Sequence, residues 1–295
     1  MFRLVFSALL VCVAFAKSGN AQTVAADGAK VHLISDGFKF TEGPAVDAKG
    51  NVYFTDQPND RILRYSKSEG LETWLKPAGR SNGLFFDGED IVACADGKNE
   101  LWLIRPDKTH EVLLTGFDGM LFNGPNDIWV AGDGSYYFTD PFYRRKYWKR
   151  KSSEPELPRR VYRFVPETGK VTVVADGFKQ PNGIVGDASR GVLFVADIGD
   201  NKTYQFEIGA SGELRNRELF CEQGSDGMTL DEDGNLYLTG KGVMVYRKTG
   251  ELREKIAVPE GWTANVCIGG EDRDVLFITA SDSLYTLKLK TRGLK

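Results

Sequence analysis

Six oxygen-bearing residues occupy matched places along this chain: Glu42, Asn82, Asn126, Asn182, Asp226 and Asn265. None of the six is apolar. Brought together, they would form a ring of hard donors containing neither Cys nor His, which suits Ca²⁺ or Mg²⁺ and not zinc. The two carboxylates would nearly neutralise a divalent ion, and amide oxygens and waters would complete a flexible shell. A metal with open positions can polarise a substrate oxygen and acidify a water. The competing explanation is that Asn and Asp favour loop ends. That covers some of the six, but not a Glu among them and not unbroken polarity.

The elements that must carry these residues are read from a repeat. Each residue heads the same pattern, clearest in Asn126 to Asp140: a polar opening, an apolar run, a Gly-Asp-Gly turn, and an aromatic run ending in an acid. Two short runs of strand composition joined by turn residues make a β-hairpin. From opening residue to strand end is 14 positions in five copies and 15 in the fourth, Asn182 to Asp197. Two further strand-like runs follow in each full copy, such as Arg61 to Tyr65 and Leu71 to Leu75 in the first. Four strands per copy without helical periodicity predict an all-β fold, a six-bladed β-propeller. The last copy stops one strand short, and an orphan run, Lys30 to Ile34, precedes the first. That run would complete the last blade and close the ring, leaving no open edge. One domain over 28–291 is expected, with the six openings at one end of its central channel.

Composition narrows the remaining classes. The 295 residues are 41% hydrophobic, enough for a sizeable core, and the net charge of −3 gives no reason to expect nucleic acid. Residues 1–22 read as a signal peptide: Arg3, an apolar Leu4 to Ala16, and possible cleavage sites after Ala16 or Ala21. The expected location is secreted or periplasmic, with no other membrane segment; the oligomeric state is left open. Of the cysteines, Cys94, Cys221 and Cys267 remain after cleavage, either buried as small hydrophobes or as one disulfide and a free thiol. Only His32 and His110 occur, both away from the expected mouth, which argues against a Ser-His-Asp or Cys-His arrangement.

A second acidic set, Asp56, Asp96, Asp140 and Asp197, ends the second strands on the ring's face. It serves either turn geometry or the site, and Asp140 stands out because an insertion, Pro141 to Arg160, starts there. The insertion is rich in Arg and Lys interleaved with Phe142, Tyr143, Tyr147 and Trp148. It is either a lid that attracts anionic substrates such as sugar acids or phosphates, or a solvated charged loop with its aromatics packed on the propeller face, and Phe142 and Tyr143 are the residues expected to touch a ligand.

Thr41-Glu42-Gly43-Pro44, Asn123-Gly124-Pro125-Asn126-Asp127, Phe138-Thr139-Asp140-Pro141, Gln180-Pro181-Asn182-Gly183-Ile184 and Ser225-Asp226-Gly227-Met228 resemble the SMP-30/gluconolactonase/luciferin-regenerating-enzyme family, in motif order over nearly the whole mature chain. The resemblance implies a six-bladed propeller with a divalent cation in the channel, Ca²⁺ first, with Zn²⁺, Mg²⁺ or Mn²⁺ as alternatives. It implies a hydrolase that opens a small-molecule lactone or related ester. By it, Glu42, Asn182 and Asp226 are metal ligands, Asn126 is a fourth ligand or a substrate contact, Asn82 is placed for substrate, and Asp226 is base or nucleophile; Asp140, from its place at the head of the insertion, is a further expected substrate contact. Members that open sugar lactones often carry an Arg two residues before the Asn126 position. Here that residue is Gly124, and Arg144 or Arg145 is the available substitute. The competing class is a non-catalytic binding propeller with a structural metal, since fold does not fix function.

Overall fold

The computed structural model describes residues 23–149 and 153–294; the expected signal peptide lies outside them. Six antiparallel four-stranded sheets form six blades, with one two-stranded hairpin, Gly116–Phe117 with Met120–Leu121, beside the third. The innermost strands are Thr41–Val46, Ser81–Asp87, Ile128–Val130, Pro181–Asp187, Met228–Leu230 and Thr263–Gly269. Each approaches the inner strand of the next blade, and the last approaches the first, so the sheets close into a ring. Among the described residues no helix is long and apolar enough to cross a membrane.

The alternation of strand side chains explains why the blades stack. In Val52–Asp56, Val52 and Phe54 pack toward the sixth blade, while Tyr53 packs toward the second. Every residue of this strand is buried, and the same holds for Tyr136–Asp140 and Leu236–Gly240. The core is thus six clusters, one between each pair of neighbouring blades. Cys94, Cys221 and Cys267 are buried free thiols within these clusters.

The sixth sheet runs His32–Ser35, Ser283–Lys288, Val275–Ala280, Thr263–Gly269 from rim to axis. His32 pairs with Thr286 and Leu33 with Tyr285. The N-terminal strand therefore supplies the outer strand of the last blade, as the missing run in the sequence requires.

The inner strands are less regular than the repeat suggests. Pairing shifts register between Glu42 and Ala45, between Ser81 and Leu84, between Pro181 and Ile184, and between Thr263 and Asn265. In the third and fifth blades the strand starts only at Ile128 and Met228, after the opening residue. The Asn126 amide still donates to the Thr139 carbonyl (2.9 Å). Such bulges re-aim a side chain out of the ladder, here at the axial ends of the first, second, fourth and sixth blades.

Neighbouring blades lock through second-strand threonines. Thr55 Oγ1 donates to the Asn82 carbonyl (3.1 Å) and Thr139 Oγ1 to the Asn182 carbonyl (2.7 Å). Thr239 Oγ1 makes the matching bond to Ala264 O (2.8 Å). Crowding at the axis is severe: a Cβ on Gly43, whose φ is +39°, would overlap the Asn82 carbonyl oxygen. The glycine after Glu42 is required by that approach.

Candidate functional site: an oxygen-donor ring under an aromatic cover

The axial ends of the inner strands bring Glu42, Asn182 and Asp226 together. Asn182 Nδ2 donates to Asp226 Oδ1 (2.8 Å), and Trp262 Nε1 donates to Asp226 Oδ2 (2.6 Å). Glu42 Oε2 accepts from the Gly43 amide (3.1 Å). Asn182 Oδ1 is buried without a hydrogen-bond partner, an expensive state for an amide oxygen in a protein interior. Asn82 and Asn126 are also buried, at 4% and 6% exposure. Asn265 turns away from the group: its Oδ1 accepts from the Val266 amide (2.8 Å), and its amide group also bonds Asp127.

Two carboxylates thus lie in one enclosed space. Burial and the neighbouring Asp226 charge push the Glu42 carboxyl well above the usual carboxylate range. Enclosure pushes Asp226 up to about 6, against the hydrogen bonds from Trp262 and Asn182 and the charge of Arg145. Both shifts come chiefly from enclosure, and that of Glu42 also from the neighbouring negative charge, with Arg145 opposing each. Among the described residues no three His, Cys, Asp or Glu side chains converge; the donors are two carboxylates and carboxamides. A hard-oxygen set of this kind, with one orphaned buried oxygen, fits a divalent cation of the Ca²⁺ type.

Deeper along the axis lies Asp127, which takes the place that Gly43, Gly83, Gly183 and Gly227 fill in other blades. Its oxygens accept from the Ile128 amide (3.0 Å) and the Ile184 amide (3.3 Å). Burial pushes its carboxyl up to about 7. It lines a mainly apolar cavity of about 590 Å³ with Leu84, Phe86, Trp129, Met228 and Ile268.

The second-strand acids do not join the ring. Asp140 is fully buried; its Oδ2 accepts from the Asn123 amide (2.9 Å) and its Oδ1 from the Gly124 amide (2.8 Å). Asp197 holds the Lys179 and Gln180 amides (both 2.8 Å), and Asp56 holds those of Lys39 (3.0 Å) and Phe40 (3.3 Å). Each fastens the loop that leads into an opening residue. Asp140, expected to contact substrate, holds with its two oxygens the backbone that presents Asn126.

Asp96 is the exception. Its Oδ2 accepts from Tyr147 OH (2.6 Å), Arg145 Nε (3.0 Å) and Gln57 Nε2 (3.2 Å), and its carbonyl from Trp148 Nε1 (2.6 Å). The insertion is thereby docked over the ring. Tyr143 OH accepts from Asn182 Nδ2 (2.7 Å). The Phe142 carbonyl accepts from Gln180 Nε2 (3.2 Å), and its ring packs on Trp148, with centroids 5.8 Å apart. Arg144 is exposed, whereas Arg145 is partly enclosed. The basic residues Arg150 and Lys151 lie outside the described residues.

Trp262 carries no signal in the repeat. It comes from the loop before the sixth inner strand, three positions ahead of Asn265. Asp96 could be found only as one of four like acids, and nothing in the spacing separated it from Asp140.

The fold and this site define a class: a six-bladed propeller with carboxylate and carboxamide oxygens converging at one end of its axis. The chain belongs to the SMP-30/gluconolactonase/LRE-like family, whose model matches residues 40–282. A gluconolactonase of Zymomonas mobilis is 26% identical over 293 residues, covering 89% of this chain and 82% of that protein. A crystal structure described as a putative gluconolactonase superposes with TM-score 0.84 at 31% identity, covering 92% of this chain and 96% of that one. A gluconolactonase from Xanthomonas campestris superposes equally well, TM-score 0.84 at 27% identity, over 92% and 93% of the two chains. Family and relatives together support a lactone-hydrolysing enzyme acting on a small molecule.

Proposed function

We propose that this chain is a divalent-metal-dependent lactonase whose cation is held by Glu42, Asn182 and Asp226, with Asn126 as the further donor. The observation that carries the reading is the buried, unpartnered Asn182 Oδ1 beside two enclosed carboxylates. Ca²⁺ suits the mixed carboxylate–amide set best.

When bound, the cation supplies Lewis-acid stabilisation to the lactone oxygen that becomes negative as the carbonyl carbon is attacked. The chain's residues do the rest. Trp262 and Asn182 fix both oxygens of Asp226, so the carboxylate meets a water in one orientation. Asp226 takes the water's proton as the C–O bond to the carbonyl carbon forms. It returns that proton to the ring oxygen as the ester bond breaks, leaving a hydroxy acid. Tyr143 and the docked insertion exclude bulk water from one side of the ring. Asn82 and Asn126 face the substrate with carboxamides.

The test is acid release from glucono-1,5-lactone above the spontaneous rate, with and without chelator. Chelator-sensitive release restored by Ca²⁺, and absent from Asp226→Asn, is the expected result. A protein that binds Ca²⁺ and opens no lactone would be a binding propeller with a structural ion. Export is proposed from the composition of residues 1–22 alone; a mature mass beginning after Ala16 or Ala21 in an envelope or culture fraction tests it.

A further inference from the structure

Beyond the ring the channel changes character. Between Asp127 and the far face it is the cavity of about 590 Å³, a size that encloses small organic ligands. Four inner strands contribute Val46, Phe86, Val130 and Val185 to its wall. Each of these is only half-buried, although it lies on an innermost strand. An apolar wall of this extent holds water poorly and takes up apolar groups readily.

The far mouth of the cavity carries one cation. Arg273 borders both the cavity and the charged cleft outside it. One of its terminal nitrogens donates to the Leu294 carbonyl, and its own carbonyl accepts from the Gly293 amide (2.8 Å), so the chain's tail fastens it there. Its Nε is buried without a hydrogen-bond partner. Among the described residues no carboxylate pairs with it. Burial pulls the guanidinium below its usual range, and the neighbour that opposes this is the Cys267 thiol. Of the acids nearby, Asp187 is taken by Arg190 (2.5 Å), while Glu232, Asp233, Glu271 and Asp272 line the outer cleft. A partly enclosed guanidinium without a counter-ion is a costly arrangement that an anion would relieve.

The inner end of the cavity disfavours a cationic ligand. Asp127 uses its oxygens on the Ile128 and Ile184 amides and on the Asn265 side chain. An amine would have to displace those donors after passing Arg273. A carboxylate at the mouth instead meets an unpaired fork of N–H donors, and the tail behind it meets apolar walls.

We propose that the channel beyond the ring is a binding site for a small amphiphilic monocarboxylate, its apolar tail packed on Val46, Phe86, Val130 and Val185 and its carboxylate paired with Arg273 at the far mouth. The site is independent of the lactonase reading, since none of Glu42, Asn182 and Asp226 lines it.

The test is calorimetric titration of the protein with decanoate, 1-decanol and decylamine, in excess chelator so that no cation at the ring can capture a carboxylate. Decanoate should bind about tenfold or more tightly than either of the others, because only it makes the charge-assisted contact. Arg273→Gln should bring decanoate down to the level of 1-decanol, and Arg273→Lys should recover part of the preference. Location is read by 10-bromodecanoate, whose bromine should quench Trp129 on the cavity wall; the quenching should be lost in Trp129→Phe. Val185→Phe, which narrows the cavity, should weaken decanoate whether or not Trp129→Phe folds, and melting curves identify folded variants. Absence of decanoate binding, equal binding of 1-decanol, an affinity unchanged in Arg273→Gln or Val185→Phe, or quenching that persists in folded Trp129→Phe would overturn the proposal. None of these outcomes bears on lactone turnover, which is measured separately with Ca²⁺ present.

Discussion

At the scale of the residue, Asp226 is held as a group meant to act from one position. A carboxylate with both oxygens bonded, one to an indole and one to an amide, loses rotational freedom before any substrate arrives. Replacing Trp262 by Phe keeps an aromatic ring at the site and deletes the Nε1–H donor together with part of the indole. A charge-assisted hydrogen bond of this kind contributes about 1.5–3 kcal/mol. Trp262→Phe should therefore lower kcat about tenfold with the thermal midpoint little changed; steady-state kinetics beside a melting curve checks both, and an unaltered kcat would remove Trp262 from the mechanism. Glu42, Asn182 and Asp226 were legible in the sequence because each opens a repeat and carries an oxygen. Trp262 was not, because it reaches Asp226 from another blade's loop and no spacing rule links positions 226 and 262. Asp127 was hidden for a different reason: a carboxylate among glycines marks the axis only once those glycines are known to crowd it.

At the scale of the element, the unit that builds the site is the paired end of the two inner strands. The threonine of the second strand bonds the next blade's opening carbonyl, and the following acid gathers the loop amides that precede its own opening residue. The repeat of Thr-Asp in Thr55-Asp56 and Thr139-Asp140 is therefore architectural. Asp140→Ala would strand the Asn123 and Gly124 amides in a buried place, at about 1–3 kcal/mol for each unsatisfied group. The expected outcome is a midpoint lowered by several degrees with KM at low temperature close to wild type. A large rise in KM at unchanged stability would instead return Asp140 to the substrate. The blade count and the second strands followed from the repeated unit, because every copy returns the same polar opening, turn and strand end at nearly the same spacing. The bulges at Glu42, Asn82, Asn182 and Asn265 did not follow. A register shift depends on the partner strand and on the axial crowding at Gly43, and neither is a local property of the sequence.

At the scale of the whole molecule, the ring has two closures, one at its axis and one at its rim. The axial one is the proposed cation, whose ligands Glu42, Asn182 and Asp226 come from the first, fourth and fifth blades. A ligand that binds only the folded ring stabilises it by about 2.7 kcal/mol at a hundredfold excess over Kd. Saturating Ca²⁺ should raise the thermal midpoint, chelator should lower it, and Asp226→Asn should abolish the shift. A midpoint indifferent to every divalent ion would count against the ring as a metal site.

The rim closure is made by hydrogen bonds between the two ends of the chain, which share one sheet. His32–Ser35 pairs with Ser283–Lys288, and the preceding residues continue the seam: Ala25 bridges to Leu289, and the Lys290 amide donates to the Val24 carbonyl (2.8 Å). Val24 is 1% exposed within the cluster between the fifth and sixth blades, and its amide is held by Glu254 (2.8 Å). Removing residues 1–36 would expose the Ser283–Lys288 edge and empty the Val24 site. An uncovered strand edge is a template for pairing with another chain. The truncated protein should melt well below one that lacks only residues 1–22, and should elute from a sizing column as larger, concentration-dependent species. Equal midpoints and a monomeric elution for both would show that the first strand is ornamental to the ring. The contrast isolates the contribution of the chain from Thr23 onward, which is bonded to Glu254 of the fifth blade and packed between the fifth and sixth.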